Sequence, residues 1–191
     1  MLQTKILSNI EIKQAWLDEL LELFPELDIT IANTTASLRP KWNPWHNSIW
    51  GDFDWIRGMI GDADIRCFVT TFERLNSIGI TSHYGMYDMV DRDLNYDFYM
   101  GLPKKFDNRA IKNGFKSNFV WIFVHEACHG MEKQSSGPDR THMMEDQGRL
   151  LELLNEHRKR YNLLIEKITL LKRLIQLYEQ LKAITLSSNK K

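Results

Sequence analysis

Residues 117–133 read SNFVWIFVHEACHGMEK, and this stretch decides both the fold and the chemistry. Its first half is almost wholly apolar, which predicts a buried helix, capped by Ser117 or Asn118. Inside it, HEACH fits the pattern H-E-x-x-H. Four residues make about one helical turn, so His125 and His129 share a face and can offer two imidazoles to one ion. Imidazole nitrogen suits Zn²⁺ at about 2.0–2.1 Å. Glu126 sits ~100° further round the helix, within reach of a water on that ion without being a ligand. Zinc brings the pKa of such a water toward ~7, and a neighbouring carboxylate can take its proton and pass it to a leaving amine. Ile122, Phe123 and Val124 precede the first histidine, and Ala127 and Cys128 lie between the two. A surface helix with fortuitous histidines would carry charges among them. Cys128 reads as a small buried residue rather than a ligand.

Catalytic zinc takes three protein ligands and keeps one position for water. Thirteen residues past His129, after a loop (134–140, QSSGPDR) able to reverse the chain, stands His142. It is the expected third ligand. Glu145 is the alternative, and Asp139 and Asp146 are further candidates. A carboxylate left over would accept an imidazole N–H.

Working outward, residues 10–24 place Ile12, Ala15, Trp16, Glu19, Leu20, Leu23 and Phe24 at helical spacing, with Pro25 as the stop. Residues 26–55 read as irregular and aromatic, with Trp42, Trp45, Trp50 and Trp55 forming core or a packed lid. Residues 56–78 read as a helix ending before Gly79. Residues 80–101 read as a β-hairpin: Tyr84, Met86, Asp88 and Val90 share a face, 91–95 form the turn, and 96–100 return. From 141 to about 186 a helical tract is expected. Leu150, Leu154, His157, Tyr161, Leu164, Ile168, Leu171, Ile175 and Tyr178 form a heptad seam within it. The boundaries are a first domain over 1–149, a heptad-patterned helix or helical hairpin over 150–186, and a disordered tail over 187–191. The heptads either pack on the domain or join two copies into a homo-oligomer.

The composition excludes several classes. With 25 basic and 25 acidic residues, the formal charge is zero, which gives no support to nucleic-acid binding. The most apolar run, 119–124, is far short of the ~20 residues of a membrane span, so no membrane association is expected. The first residues lack the apolar core of a signal peptide. The two cysteines, Cys67 and Cys128, make a disulfide scaffold unnecessary. A cytoplasmic protein with reduced thiols is expected.

HEACHG, a loop and then THMMED resemble the zincin metallopeptidases, most of all their SprT-like group, where a third histidine follows H-E-x-x-H by a dozen or so residues. The resemblance spans 80–150 and is specific over 122–146. It implies an α+β, mostly α fold: a zincin-like core with an active-site helix and a small β-hairpin or sheet, followed here by the long C-terminal helix. It implies zinc on His125, His129 and His142, with Glu126 as general base. It also implies a peptide or protein substrate held along an edge strand by backbone pairing. The sequence departs from the family after the third histidine, where HMMED replaces an H-G-x-x-F-like continuation. Ser135 stands where metzincins place their third histidine. An oxyanion-stabilising tyrosine is open among Tyr84, Tyr87, Tyr96, Tyr99 and Tyr161, and His83 is a candidate substrate contact. A closed, structural zinc site with Glu145 as fourth ligand is the competing expectation.

Overall fold

Seven residues at the start of the chain, absent from the sequence reading, form the first strand of a five-stranded sheet. The computed structural model describes residues 2–80, 84–87, 96–134 and 139–188. In its first unit, Met1–Leu153, β1 (Leu2–Ser8), α1 (Gln14–Leu23) and β2 (Leu27–Asn33) make a parallel βαβ unit, with Leu2 opposite Leu27 and Ser8 opposite Asn33. A hairpin of β3 (Pro40–Asn43) and β4 (Ser48–Gly51) precedes α2 (Phe53–Ile60). Then come β5 (Ile65–Thr71), α3 (Phe72–Ser77), β6 (Gly85–Tyr87), β7 (Tyr96–Leu102), α4 (Asn108–Lys112) and α5 (Asn118–Gln134). The sheet order is β2-β1-β5-β7-β6, parallel except for β6, which pairs antiparallel with β7 at the edge.

The fold is thus mixed α/β, with a sheet larger than the small one expected. The helix expected over 56–78 is a helix, a strand and a helix. Six consecutive residues of β5 are buried, because helices cover both faces of the sheet. Such a strand loses its alternation and reads like a helix. The segment 26–55, expected to be irregular, holds three strands. Trp50 is buried there, but Trp42 and Trp45 are exposed, so the tryptophans do not form one packed lid.

Cys67 and Phe98 turn to the face covered by α5, where Phe98 meets Phe123 edge-on at 5.0 Å. Trp16 of α1 stacks on Phe119 of α5 at 5.6 Å on this side. Phe68 and Tyr99 turn to the other face, against Trp55 and Phe53 of α2. There Asp97 of β7 sits between Arg66 (Nε to Oδ1, 2.6 Å) and Arg57 (2.7 Å), tying two strands to α2. Breaking such a buried pair costs about 3–5 kcal/mol, because a charge is left behind.

The start of α5 is fixed from both sides. Ser117 Oγ accepts from the Val120 N–H at 3.2 Å, making Ser117 the cap. Glu19 of α1, itself buried, accepts from the Lys116 N–H at 2.6 Å and from the Ser117 hydroxyl at 2.8 Å. A carboxylate at this end also complements the positive end of the helix.

The tract expected as one helix from 141 is broken. α6 (Thr141–Asp146) ends before Gly148, whose φ of 70° takes the left-handed conformation that glycine allows, and α7 (Leu150–Ser188) begins anew. The second unit, Leu154–Lys191, is the continuation of α7. Leu170, Leu174, Ile175, Leu177 and Tyr178 on it are exposed. The antiparallel pairing of β6 and β7 bears out the 80–101 hairpin. Its turn at 91–95, together with His83, Asp88, Val90 and the side chain of Tyr161, lies outside the described residues, as do 135–138 and 189–191. Among the described residues no helix is long and apolar enough to cross a membrane. Cys67 and Cys128 are free and buried.

Candidate metal centre

α5 presents His125 and His129 one turn apart, as the spacing predicts, and their Nε2 atoms lie 3.0 Å from each other. α6 brings the third imidazole. Ring centroids are 5.0 Å apart for His125 and His142, and 4.7 Å for His129 and His142. One ligand nitrogen from each of the three falls within 4.8 Å of the others. Of the candidates for third ligand, His142 is the one brought into this group.

The carboxylates take the positions behind the rings. Asp139 Oδ2 lies 2.6 Å from His129 Nδ1, and Glu145 Oε2 lies 3.0 Å from His125 Nδ1. The Asp139 hydrogen bond favours the Nδ1–H tautomer of His129, which leaves its Nε2 lone pair turned toward His125 Nε2. His125 Nδ1, though 3.0 Å from Glu145 Oε2, is a buried ring nitrogen without a hydrogen bond. Burial pushes the pKa of His125 below the ordinary value, against the pull of Glu145, and so favours a neutral ring able to ligate. Tetrahedral Zn²⁺ with bonds of about 2.0–2.1 Å separates neighbouring nitrogens by ~3.3 Å, close to the 3.0 Å between the two Nε2 atoms. The residues present fit zinc.

Glu126 is 4% exposed and lies beside this group in a cleft of about 470 Å³. Burial pushes its pKa well above the ordinary carboxylate value, and Glu145 and Asp139 push the same way. A cation at the three imidazoles would draw it back down. Its carboxylate packs on Gly85 of the edge strand: a Cβ there would stand 2.5 Å from Oε1. Burial alone would raise Glu145 too, but His125, Arg109 and His142 bring it below its usual range.

Residues the motif does not point to complete the walls. Tyr87 stacks on His129 at 5.2 Å with its ring nearly parallel. Arg109 lies 4.9 Å over the ring of Trp121 and 5.4 Å over that of Tyr84, with Nη1 3.2 Å from Glu145 Oε1. Phe72 meets Tyr84 edge-on at 4.8 Å. Of the candidate tyrosines, Tyr84 and Tyr87 line the cleft, while Tyr99 packs against α2 and Tyr96 lies under Gly130. Arg109 and Phe72 belong to separate elements with no motif of their own, so only the fold brings them here. Cys128 is fully buried, as the sequence reading expects, and burial raises the pKa of its thiol. Comparison with protein-family models, with curated proteins and with solved structures finds no match for this chain.

Proposed function

We propose that the protein is a zinc-dependent peptidase of the zincin kind. One observation carries the reading. Three imidazoles converge from two helices, two of them backed by carboxylates, and a third carboxylate, Glu126, stands outside the cluster in the same cleft. His125, His129 and His142 would hold the ion, which would supply a positive charge that acidifies a water and polarises a carbonyl. Glu126 takes the proton of the attacking water. As the C–N bond breaks, it returns that proton to the departing amine, so one water is consumed and an acid and an amine are released. Tyr84 and Tyr87 line the cleft; the Tyr84 hydroxyl is engaged with Asp107, so Tyr87 is the candidate donor for charge that develops on the carbonyl oxygen. β6, at the sheet edge and forming one wall, offers backbone groups to an extended peptide. The proposed setting is cytoplasmic.

A closed structural zinc site is the second reading, with the α7 heptads serving a partner or a second copy. It needs a fourth protein ligand. Glu145, its candidate, instead sits behind His125 on Nδ1, which favours an open site. Replacing Glu126 with Gln tests the first reading: hydrolysis of a peptide library should fall at least 10²-fold while zinc content stays at one per chain. Cleavage at the wild-type rate would overturn the mechanism.

A further inference from the structure

α6 has six residues, too few to hold a helical shape alone. Yet it carries both His142 and Glu145. Side chains from other elements fix its two ends. At its C-terminal end, Asn113 donates from Nδ2 to the Glu145 carbonyl at 3.0 Å and accepts on Oδ1 from the Leu150 N–H at 2.9 Å. Lys112 also reaches the Asp146 carbonyl.

At the N-terminal end no side chain of Arg140 serves as cap. Glu132 of α5 serves instead, together with Asp139, whose Oδ1 also accepts the Thr141 N–H at 3.0 Å. The Glu132 carboxylate accepts the N–H of Arg140, the N–H of Thr141 at 3.1 Å and the Thr141 hydroxyl at 3.3 Å. Arg140 Nε lies 3.3 Å from its other oxygen. Glu132 is only 2% exposed. Burying a carboxylate is costly, and an apolar side chain would fill the space more cheaply. What the carboxylate adds is a fixed distance between two helices. Glu132 stands three residues past His129, so the group that pins α6 is rigidly joined to the helix that supplies the other two imidazoles.

We infer that Glu132 is a positioning residue for the metal centre, acting through His142 by holding the start of α6 over α5. This rests on the metal-centre reading above. Glu132 lies outside the three-histidine group itself.

The test is a cycle of zinc affinities on the full chain, measured by competition with a chromophoric chelator. Wild type, Glu132→Gln, Glu132→Asp, His142→Ala and the Glu132→Gln/His142→Ala double variant are compared, with folding checked by circular dichroism. Glu132→Gln is expected to weaken zinc binding 10–100-fold, the range of outer-shell partners. In the His142→Ala background the same change is expected to cost less than twofold. With Co²⁺ in place of zinc, the visible spectrum of Glu132→Gln should move toward that of His142→Ala. If Glu132→Gln does not fold, Glu132→Asp, which keeps the charge but shortens the reach, replaces it in the same cycle. Affinity within twofold of wild type, or losses that multiply in the double variant, would overturn the positioning role while leaving the metal centre standing. A wild-type chain that takes up no zinc would overturn both.

Discussion

Gly85→Ala should silence Glu126, the proposed general base, without touching the three histidines proposed to hold zinc. Gly85 adopts no left-handed backbone, so alanine is conformationally allowed there. The obstacle is space. The new Cβ would stand 2.5 Å from Glu126 Oε1, 3.0 Å from its Cδ and 2.9 Å from the Tyr99 carbonyl, whereas ordinary contact begins at 3.4 Å. The carbonyl belongs to the β7 backbone, directly beside β6, and can give a few tenths of an ångström. The carboxylate must supply the rest, a displacement of about 0.9 Å. A misplacement of ~1 Å at a reacting group costs on the order of 10²-fold in rate, or about 2.7 kcal/mol of barrier. The nearest atoms to the new methyl belong to Glu126 and Tyr99 and not to the three histidines, which should keep their zinc. The assay is kcat/KM on a fluorogenic peptide set, with zinc content measured on the same samples. A fall near 10²-fold with unchanged zinc is expected. Wild-type kcat/KM in a folded, zinc-loaded Gly85→Ala protein would refute the placement of Glu126 against the edge strand.

Two other predictions concern the groups behind the imidazoles. Asp139→Asn and Glu145→Gln should each lower zinc affinity about 10–100-fold, because each removes the carboxylate charge beside one imidazole Nδ1. Equilibrium competition with a chelator checks this, and no change in either variant would contradict the role of these carboxylates. In the metal-free protein, burial lowers the pKa of His125, so below ~6.5 the unfolded chain binds more protons than the folded one and stability falls with acid. Glu126 has the opposite sign: its raised pKa favours folding at low pH, and that contribution fades as pH rises. Urea denaturation of the metal-free chain should therefore show an acid-side loss below about pH 6.5 that shrinks in His125→Asn. An identical slope in that variant would contradict the burial of His125.

The helix that carries His125 and His129 was legible because its signal is local. H-E-x-x-H needs only helical geometry, and the apolar run before it marks burial. His142 was legible from its distance along the chain, and the carboxylates as imidazole partners from their nearness to it. The sheet was not. β5 is covered on both faces, so its period of two is gone, and β1 lies in a stretch whose buried residues include Thr4 and Ser8. Asp97 is polar yet buried, because two arginines from distant elements meet it. The contributions of Gly85, Phe72 and Arg109 to the cleft come from elements distant in sequence from α5, which no local pattern encodes.

The central claim is that three histidines converge on one divalent ion and leave it a position for water. X-ray absorption at the zinc edge on stoichiometrically loaded protein measures this directly. The account predicts three imidazole nitrogens at about 2.0–2.1 Å and one light oxygen, with one nitrogen fewer in His142→Ala. A sulfur in the shell, a carboxylate completing four protein ligands, or a chain that binds no zinc would contradict it.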